Sequence, residues 1–356
     1  GSEMVALTRV RSSAAAYPFV AALIDLAAEV RAILGSGVEL GYAADWSEYH
    51  SHRPADGSGD VHFNLDPLWA DDEIDFIGID NYLPLADWRD GSGHLDFDPA
   101  GPTTIYDQAY LRSNVEGGEY YDWYYADEAA RIAQSRTPIT DGAHDEPWVF
   151  RNKAIRDWWE NEHHDRPGGV RSGTATAWTP ESKPIRFTEL GCPAVDKGAN
   201  QPNLFPDRHS AEGGFPWFST RARDDQMQRS WLQAMIGYFS EAGNNPISAV
   251  YGEPMLDVGR SNVWAWDTRP WPSFPVDRSV WSDWPNWHSG HWLSGRMGAA
   301  PATETIRAIL NEAGFDLYAI EPIPGVVDGV TVGNLVSPRS LLEQLRPAFQ
   351  FDPVES

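Results

Sequence analysis

One carboxylate stands out in the sequence because it directly follows the residues of a predicted strand. The strand residues 184–188 come first, Glu189 comes next, and Gly191 and Pro193 then turn the chain away. A strand holds such a group rigidly at the edge of a sheet. Paired carboxyl groups in such positions cleave glycosidic bonds: one protonates the leaving oxygen, and the other attacks the anomeric carbon or activates water. We therefore take Glu189 as the candidate catalytic carboxylate. The competing interpretation is an acid paired with an arginine at the rim of the sheet.

Polar and aromatic side chains also follow the other apolar runs of the chain. If the runs are parallel strands of a (β/α)8 barrel, these clusters meet at the carboxyl end of the sheet, where barrel active sites lie. Four such coincidences in chain order favour a shared site there. The clusters are 45–50, 80–82, Glu189 and 266–267.

Aromatic residues near these clusters are candidates for sugar binding, because the apolar face of a pyranose stacks on an aromatic ring. The chain has 17 tryptophans, and large core residues are an equally good explanation for any one of them. Asn81 and Tyr82 are predicted to hydrogen-bond a sugar hydroxyl or Glu189. Asp45 and Glu48 either bind hydroxyls or belong to a solvated loop. The candidate substrate-binding residues are Tyr42, Trp46, Asp80, Asn81, Tyr82, Trp88, Trp264 and Trp266.

The elements that must position these residues alternate between strands and helices, which implies a parallel sheet with crossover connections. Strands are predicted at 38–44, 74–80, 184–189 and 261–267, and helices at 14–34 and 226–242. The long segment 90–178 is interpreted as an aromatic lid with helices at 127–135 and 152–160. After about residue 298, helices are predicted at 303–313 and 337–348, with a turn and strand at 322–330 between them.

Composition narrows the class of partner. The chain has 356 residues, 42% of them hydrophobic, and a formal net charge of −25. This balance argues against nucleic acid and anionic membranes, which are polyanions. The single cysteine, Cys192, cannot form an intrachain disulfide. No apolar run reaches the roughly 18 residues of a membrane span, and no leader-like segment opens the sequence.

Two groups of histidines are candidates for metal binding. His163 and His164 are adjacent, and His288 and His291 form a second pair. Neither group has the ligand spacing of a closed zinc site, and the order around His163 is not that of a helix-borne zinc motif. No metal and no cofactor are therefore expected.

Several stretches resemble one family. The opening 1–8, together with the stretches ending at Tyr49, Tyr82, Gly191 and Trp266, resembles the TIM-barrel-like domain of gene transfer agent and phage tail-tip (host specificity) proteins. That domain is similar to the β-mannanase-like clan of retaining glycoside hydrolases. The resemblance covers about residues 1–297. It is specific in the runs 42–49, 77–88, 187–201 and 264–270.

The resemblance implies an α/β fold in which this chain holds strands four to eight of a (β/α)8 TIM barrel. It places Glu3 at the acid/base position and Glu189 at the nucleophile position. Residues 1–297 would then be a barrel without its N-terminal part, and 298–356 the start of a tail-hub-like domain. Three explanations stay open: the chain begins inside the barrel, the missing half comes from other sequence, or Gly1-Ser2 is a cloning remnant and Glu3 an ordinary terminal residue.

The resemblance also implies a function: a tail-tip or baseplate component, homotrimeric within a phage-like particle, that cuts a host cell-surface polysaccharide. Its other partners would be tail and baseplate proteins, and its location the tail tip of the released particle. One alternative is a catalytically inactive module that binds glycan or has a structural role in the baseplate. A weaker alternative is a free-standing mannanase-like enzyme.

Overall fold

The computed structural model describes residues 2–13, 16–207, 210, 212–266, 268–269, 273–284, 286–293, 300–315, 317–327 and 336–354. Its regular elements alternate along the chain. The strands are β1 (Gly41–Asp45), β2 (Phe76–Asn81), β3 (Trp123–Tyr124), β4 (Thr137–Pro138), β5 (Ile185–Leu190), β6 (Ala300–Pro301) and β7 (Val326–Val327). The helices are α1 (Ser2–Thr8), α2 (Pro18–Leu34), α3 (Asp66–Trp69), α4 (Gln108–Ser113), α5 (Glu128–Ile132), α6 (Ile155–Glu160), α7 (Asp225–Ser240), α8 (Ser273–Val276), α9 (Asn286–Ser289), α10 (Ala302–Glu312) and α11 (Pro338–Phe349).

A parallel sheet in the order β1–β2–β5 forms the centre of the fold. The chain after α7 continues this order beside β5. Its backbone donates from Asp257 N to Ile185 O at 2.9 Å and from Trp264 N to Leu190 O at 2.9 Å. Four parallel segments therefore run side by side, as expected of an α/β fold with crossover connections.

The fourth of these segments is less regular than predicted. The sequence predicts a strand over 261–267. In the described part of this range, one residue, Val263, forms a parallel bridge to β5. A second parallel bridge to β5 lies earlier in the chain, at Leu256. A 3-10 turn at Val258–Arg260 lies between the two bridges. Asp267 lies outside the described residues.

Both faces of the central strands are buried, because helices and long connections cover them. Ile77, Ile79 and Ile185 have no exposed surface, and Phe187 is 2% exposed. Helix α7 covers one side, where Phe239 meets Phe187 edge-on with ring centroids 5.7 Å apart. This burial explains why β2 begins with the apolar residues Phe76–Ile79, whereas β5 alternates apolar residues with Arg186 and Thr188.

Helix α2 begins at Pro18, four residues later than predicted. Proline is suited to the first turn because the missing N–H would have no partner there. The helix ends at Leu34 and is capped by Gly35, whose N–H donates to Arg31 O at 2.8 Å. Arg31 then ties the helix to the start of β2 through ion pairs with Asp75 at 2.5 Å and Glu73 at 3.1 Å.

The segment 90–178, predicted to be a lid, is tightly packed where it meets the loop after β1. Tyr49 OH donates to Asn152 O at 2.7 Å, and Trp158 Nε1 donates to His50 O at 3.2 Å. Within it, α5 and α6 fall inside the predicted helical ranges. The segment therefore fixes the position of the β1 loop.

The predicted helices of the C-terminal part correspond to α10 and α11, and β6 pairs with β7 in an antiparallel ribbon. Residues 328–330 of the predicted turn and strand lie outside the described residues. Division of the chain near residue 298 remains a prediction. None of the helices described has the length and apolarity needed to cross a membrane.

A glycine in β2 tests how closely the sheet is packed. A Cβ at Gly78 would lie 2.5 Å from Tyr42 O and 2.9 Å from the Thr188 methyl group. We expect Gly78→Ala to lower the free energy of unfolding by about 1–3 kcal/mol through overpacking, measured by urea denaturation. Gly93→Ala is the control, because a Cβ at Gly93 meets nothing within 4 Å. Equal stability of the two variants would contradict the packing described here.

Candidate active site

The register of the sheet brings three carboxylates to one edge. Asp45 is paired with Asp80, and Asp80 with Glu189, at the carboxyl ends of β1, β2 and β5. A break in register between Ile79 and Asp80 shifts the pairing so that the two acids align. Neighbouring strands are about 4.8 Å apart. The three acids therefore form a row across the edge where parallel-sheet sites lie.

Glu189 is half-buried and held by one strong contact. Tyr82 OH donates to Glu189 Oε2 at 2.6 Å. Burial raises the pKa of Glu189 above its ordinary value, the hydrogen bond from Tyr82 opposes this rise, and the charge of Asp80 adds to it. The carboxylate thus sits in a field that resists its ionisation, with Tyr82 as the group that stabilises its charge.

Tyr82 is in turn fixed by its surroundings. Its ring meets His291 edge-on, with centroids 5.3 Å apart, and His291 Nε2 donates to Pro202 O at 2.6 Å. A Cβ at Gly191 would lie within 3.0 Å of both rings and 2.9 Å from Trp264 O. The glycine that follows Glu189-Leu190 is therefore needed for close approach of these groups.

Asp80 occupies the centre of the row. Thr188 Oγ1 donates to Asp80 Oδ1 at 2.8 Å. Burial raises the pKa of Asp80, the bond from Thr188 lowers it, and the charge of Asp45 raises it. Its backbone oxygen also accepts from Trp46 N at 3.0 Å, which joins β2 to the loop after β1.

Glu48 is a fourth carboxylate near this edge, and it is 1% exposed. Tyr42 OH donates to its Oε1 at 3.0 Å, Thr8 Oγ1 donates to the same oxygen, and Asp45 N donates to Oε2 at 3.2 Å. Burial raises the pKa of Glu48, while the hydrogen bonds from Thr8 and Tyr42 lower it. The solvated-loop interpretation of Glu48 is wrong, because α1 and Tyr42 enclose it.

Glu3, the proposed acid/base partner, lies in α1, which contacts β1. Its side chain falls outside the described residues, so its orientation toward Glu189 stays a prediction.

Apart from Tyr42 and Trp46, the predicted substrate-binding residues divide into three groups. Trp264 and Trp266 are 45% and 65% exposed beside the end of β5. Asn81 is fully buried, accepts from Leu83 N at 3.0 Å and points its Nδ2 at Met235 Sδ. Trp88 is 8% exposed and packs edge-on against His94 and Tyr110. Asn81 and Trp88 are therefore placed in the packed interior, whereas Tyr82 and Asp80 contact or adjoin Glu189.

Trp46 lies at the other side of the row, where it lines a cleft of about 770 Å³ between the β1 loop and the segment 90–178. Its ring is 5.6 Å from that of Tyr120. The sequence alone does not indicate this cleft, because its two walls come from distant parts of the chain. One wall comes from residues 9–53 and the other from residues 120–152. The lining residues are Arg9, Trp46, Ser47, Ser51, Arg53, Tyr120, Tyr124, Pro138, Ile139, Thr140, Phe150 and Asn152.

The histidines considered as metal ligands have other partners. His163 contacts Asp66 at 2.9 Å and donates to Trp158 O at 2.7 Å through Nε2. His164 Nδ1 donates to Ser172 O at 3.0 Å. The side chain of His288 lies outside the described residues. Across the part of the chain that is described, no three His, Cys, Asp or Glu side chains converge as a metal site would require.

The raised pKa of Glu189 has a consequence for stability. The folded protein holds this proton more tightly than the unfolded chain, whose carboxyl has an ordinary pKa of 4.5. Stability is therefore lost as pH rises from 4.5 through the higher folded pKa. We expect Glu189→Gln to be more stable than wild type at pH 7, with the difference shrinking below pH 4.5, measured by thermal unfolding at both pH values.

Glu253→Gln provides the control for this measurement, because Glu253 is exposed and lies outside the row. It should leave the unfolding midpoint nearly unchanged at either pH. A Glu189→Gln variant less stable than wild type at pH 7 would show that the carboxylate contributes more through its contacts than burial removes.

Comparison with known proteins identifies the family of this chain. The search of curated proteins found no match. The family model for the GTA TIM-barrel-like domain, the domain named for gene transfer agents, matches residues 1–275. This range includes the whole parallel sheet, the carboxylate row, Trp264 and Trp266. The chain therefore belongs to the family of GTA TIM-barrel-like domains.

Proposed function

We propose that this domain is a retaining glycoside hydrolase that cuts host cell-surface or cell-wall polysaccharide. The observation that carries the proposal is the setting of Glu189: a half-buried carboxylate at the end of a central strand, bonded to Tyr82 and aligned with Asp80. Strand-end carboxylates in barrels of this kind perform acid, base and nucleophilic chemistry.

In this mechanism Glu189 attacks the anomeric carbon and forms a glycosyl-enzyme. Tyr82 holds Glu189 Oε2 in place and keeps the charge available on the attacking carboxylate. Glu3, assigned by the family resemblance, donates its proton to the leaving oxygen. It then removes a proton from the water that hydrolyses the intermediate.

The other acids of the row act on the charge that develops in the reaction. The transition state of glycoside hydrolysis resembles an oxocarbenium ion and is positively charged. Asp80 lies beside Glu189 in the sheet register, and Asp45 lies beside Asp80 one strand further away. Fixed negative charge of this kind stabilises such a transition state with little reorganisation.

The family also supports a proposal about place and partners. We propose that the chain belongs to the tail tip or baseplate of a gene transfer agent or phage-like particle, as a homotrimer with other tail proteins around it. Electron microscopy of the native assembly tests this: antibody label at the tail tip supports it, and label on free protein alone favours a free-standing enzyme.

A second candidate function is glycan binding without hydrolysis. Trp264 and Trp266 present exposed ring surface beside the end of β5. Such surfaces stack on sugar rings whether or not a bond is cut. The two candidates differ in whether reducing ends appear.

The test replaces the proposed nucleophile. We expect wild type to release reducing ends from one or more polysaccharides in a panel of host-envelope glycans, with retained anomeric configuration by NMR. Glu189→Gln should lower this rate by roughly 10³-fold or more while glycan binding persists. In Glu189→Ala, added azide should restore turnover and yield a glycosyl azide, because it fills the place of the lost carboxylate.

Glu253→Gln is the matched control and should hydrolyse at the wild-type rate. If wild type binds the glycans and releases no reducing ends, the binding-module function replaces the enzyme. Products of inverted configuration would instead assign Glu189 the role of a base that activates water.

A further inference from the structure

The cleft lined by Trp46 carries two positive charges that the proposed hydrolysis does not use. We call it the arginine cleft after Arg9 and Arg53, which lie on its walls with Trp46, Tyr120 and Tyr124. Cationic side chains are scarce in this chain, which has 27 basic residues against 52 acidic ones. Two of them in one cleft require an explanation.

Neither guanidinium is neutralised by a close carboxylate. Arg9 donates through NH2 to Ser47 O at 2.6 Å, and Arg53 donates through NH1 to Phe150 O at 3.1 Å and through NH2 to Asn152 Oδ1. Within the described residues, no carboxylate oxygen lies within 4.0 Å of either group. By contrast, Arg11, two residues beyond Arg9, is paired with both Asp60 and Asp56.

Arg9 also has a donor left over. Its Nε is buried, and no hydrogen-bond acceptor of the described residues reaches it. Glu48 and Asp45 attract Arg9 at longer range, but Glu48 already accepts from Thr8, Tyr42 and Asp45. A buried N–H without an acceptor is costly, so Arg9 is not held in place by a complete set of partners from the chain.

The aromatic walls define the shape of the ligand. Trp46 and Tyr120 have ring centroids 5.6 Å apart and planes inclined by 47°. Tyr124 is 42% exposed on the same side of the segment 90–178. Rings of this kind provide flat apolar surface for a pyranose, and guanidinium forks bind planar carboxylates and phosphates bidentately.

The cleft adjoins the loop that follows the first strand of the carboxylate row, because Trp46 and Ser47 come directly after Asp45. Trp46 N donates to Asp80 O at 3.0 Å, so the cleft begins at the end of β1 and next to β2. Glu189 lies two strands away, or roughly 10 Å at the usual strand spacing. This separation matches the length of about two saccharide units, so the proposal places a neighbouring unit of a glycan bound at Glu189 in the cleft.

We propose that the arginine cleft is a subsite for an acidic saccharide unit, one that bears a carboxylate or a phosphate bound by Arg9 and Arg53. The proposal rests on the proposed function in taking glycan as the substrate. It deepens that function by assigning an anionic polysaccharide as the substrate class. Because the acidic row repels anions, the charged saccharide unit binds in the arginine cleft. The unit that binds at Glu189 is neutral.

Binding of small sugars to the Glu189→Gln protein tests the proposal without hydrolysis. Glucuronate, glucose 6-phosphate and glucose are compared by saturation-transfer NMR and titration. We expect at least one of the two anions to bind roughly tenfold or more tightly than glucose. The stronger of the two identifies the carboxylate or the phosphate as the natural group. Equal affinities for all three sugars, or no binding of any, overturn the proposal.

Three further variants assign the site, each made in the Glu189→Gln protein. Arg9→Gln and Arg53→Gln should each remove the preference for the anion by roughly tenfold. Arg307→Gln makes the same charge change on α10, outside the cleft, and should not alter it. Preference unchanged in both cleft variants, with wild-type unfolding midpoints, overturns the assignment.

The outcomes separate this inference from the proposed function. Anion binding that depends on Arg9 or Arg53 in a protein whose wild type hydrolyses no glycan leaves the inference standing and removes the enzyme. Hydrolysis that depends on Glu189 but shows no preference for acidic glycans leaves the proposed enzyme standing and removes the inference about the arginine cleft.

Discussion

The crowding of like charges at one half-buried sheet edge is the constraint on which the rest of this structure depends. The parallel register aligns Asp45, Asp80 and Glu189, and Glu48 lies close behind them. Burial raises the pKa of Asp80, Glu189 and Glu48. Clusters of buried carboxylates lower the stability of a protein, and they are found mainly at sites where their shifted pKa values serve a function.

The surrounding side chains stabilise the buried negative charges at that edge. Each buried acid has hydroxyl donors aimed at it: Tyr82 for Glu189, Thr188 for Asp80, and Tyr42 with Thr8 for Glu48. These donors come from β1, β5, α1 and the loop after β2. The acids are thereby locked in position by the same bonds that stabilise their charge, which is what preorganisation at a catalytic site requires.

The sequence predicted the parallel sheet and the position of Glu189, because buried parallel strands are continuous apolar runs with polar ends. It misjudged what depends on distant contacts. A solvated loop was one interpretation of Glu48, but α1 covers its side chain. Asn81 was a candidate to bind substrate, but its side-chain oxygen accepts from Leu83 N within its own turn. The fourth parallel segment, predicted as one strand, contains only two isolated bridges separated by the 3-10 turn at Val258–Arg260.

Under the proposed function and the proposed subsite, the acidic row and the arginine cleft act on one substrate. A chain of net charge −25 repels polyanions at long range, so an acidic glycan has to be bound by short-range contacts. The backbone bond from Trp46 N to Asp80 O fixes the cleft beside the row. Negative charge at the reacting sugar and positive charge one or two units away form a dipole along the substrate path. A ligand with one acid group per repeat can satisfy it in only some registers. Register is then set by electrostatics, and the bond presented to Glu189 is set by register.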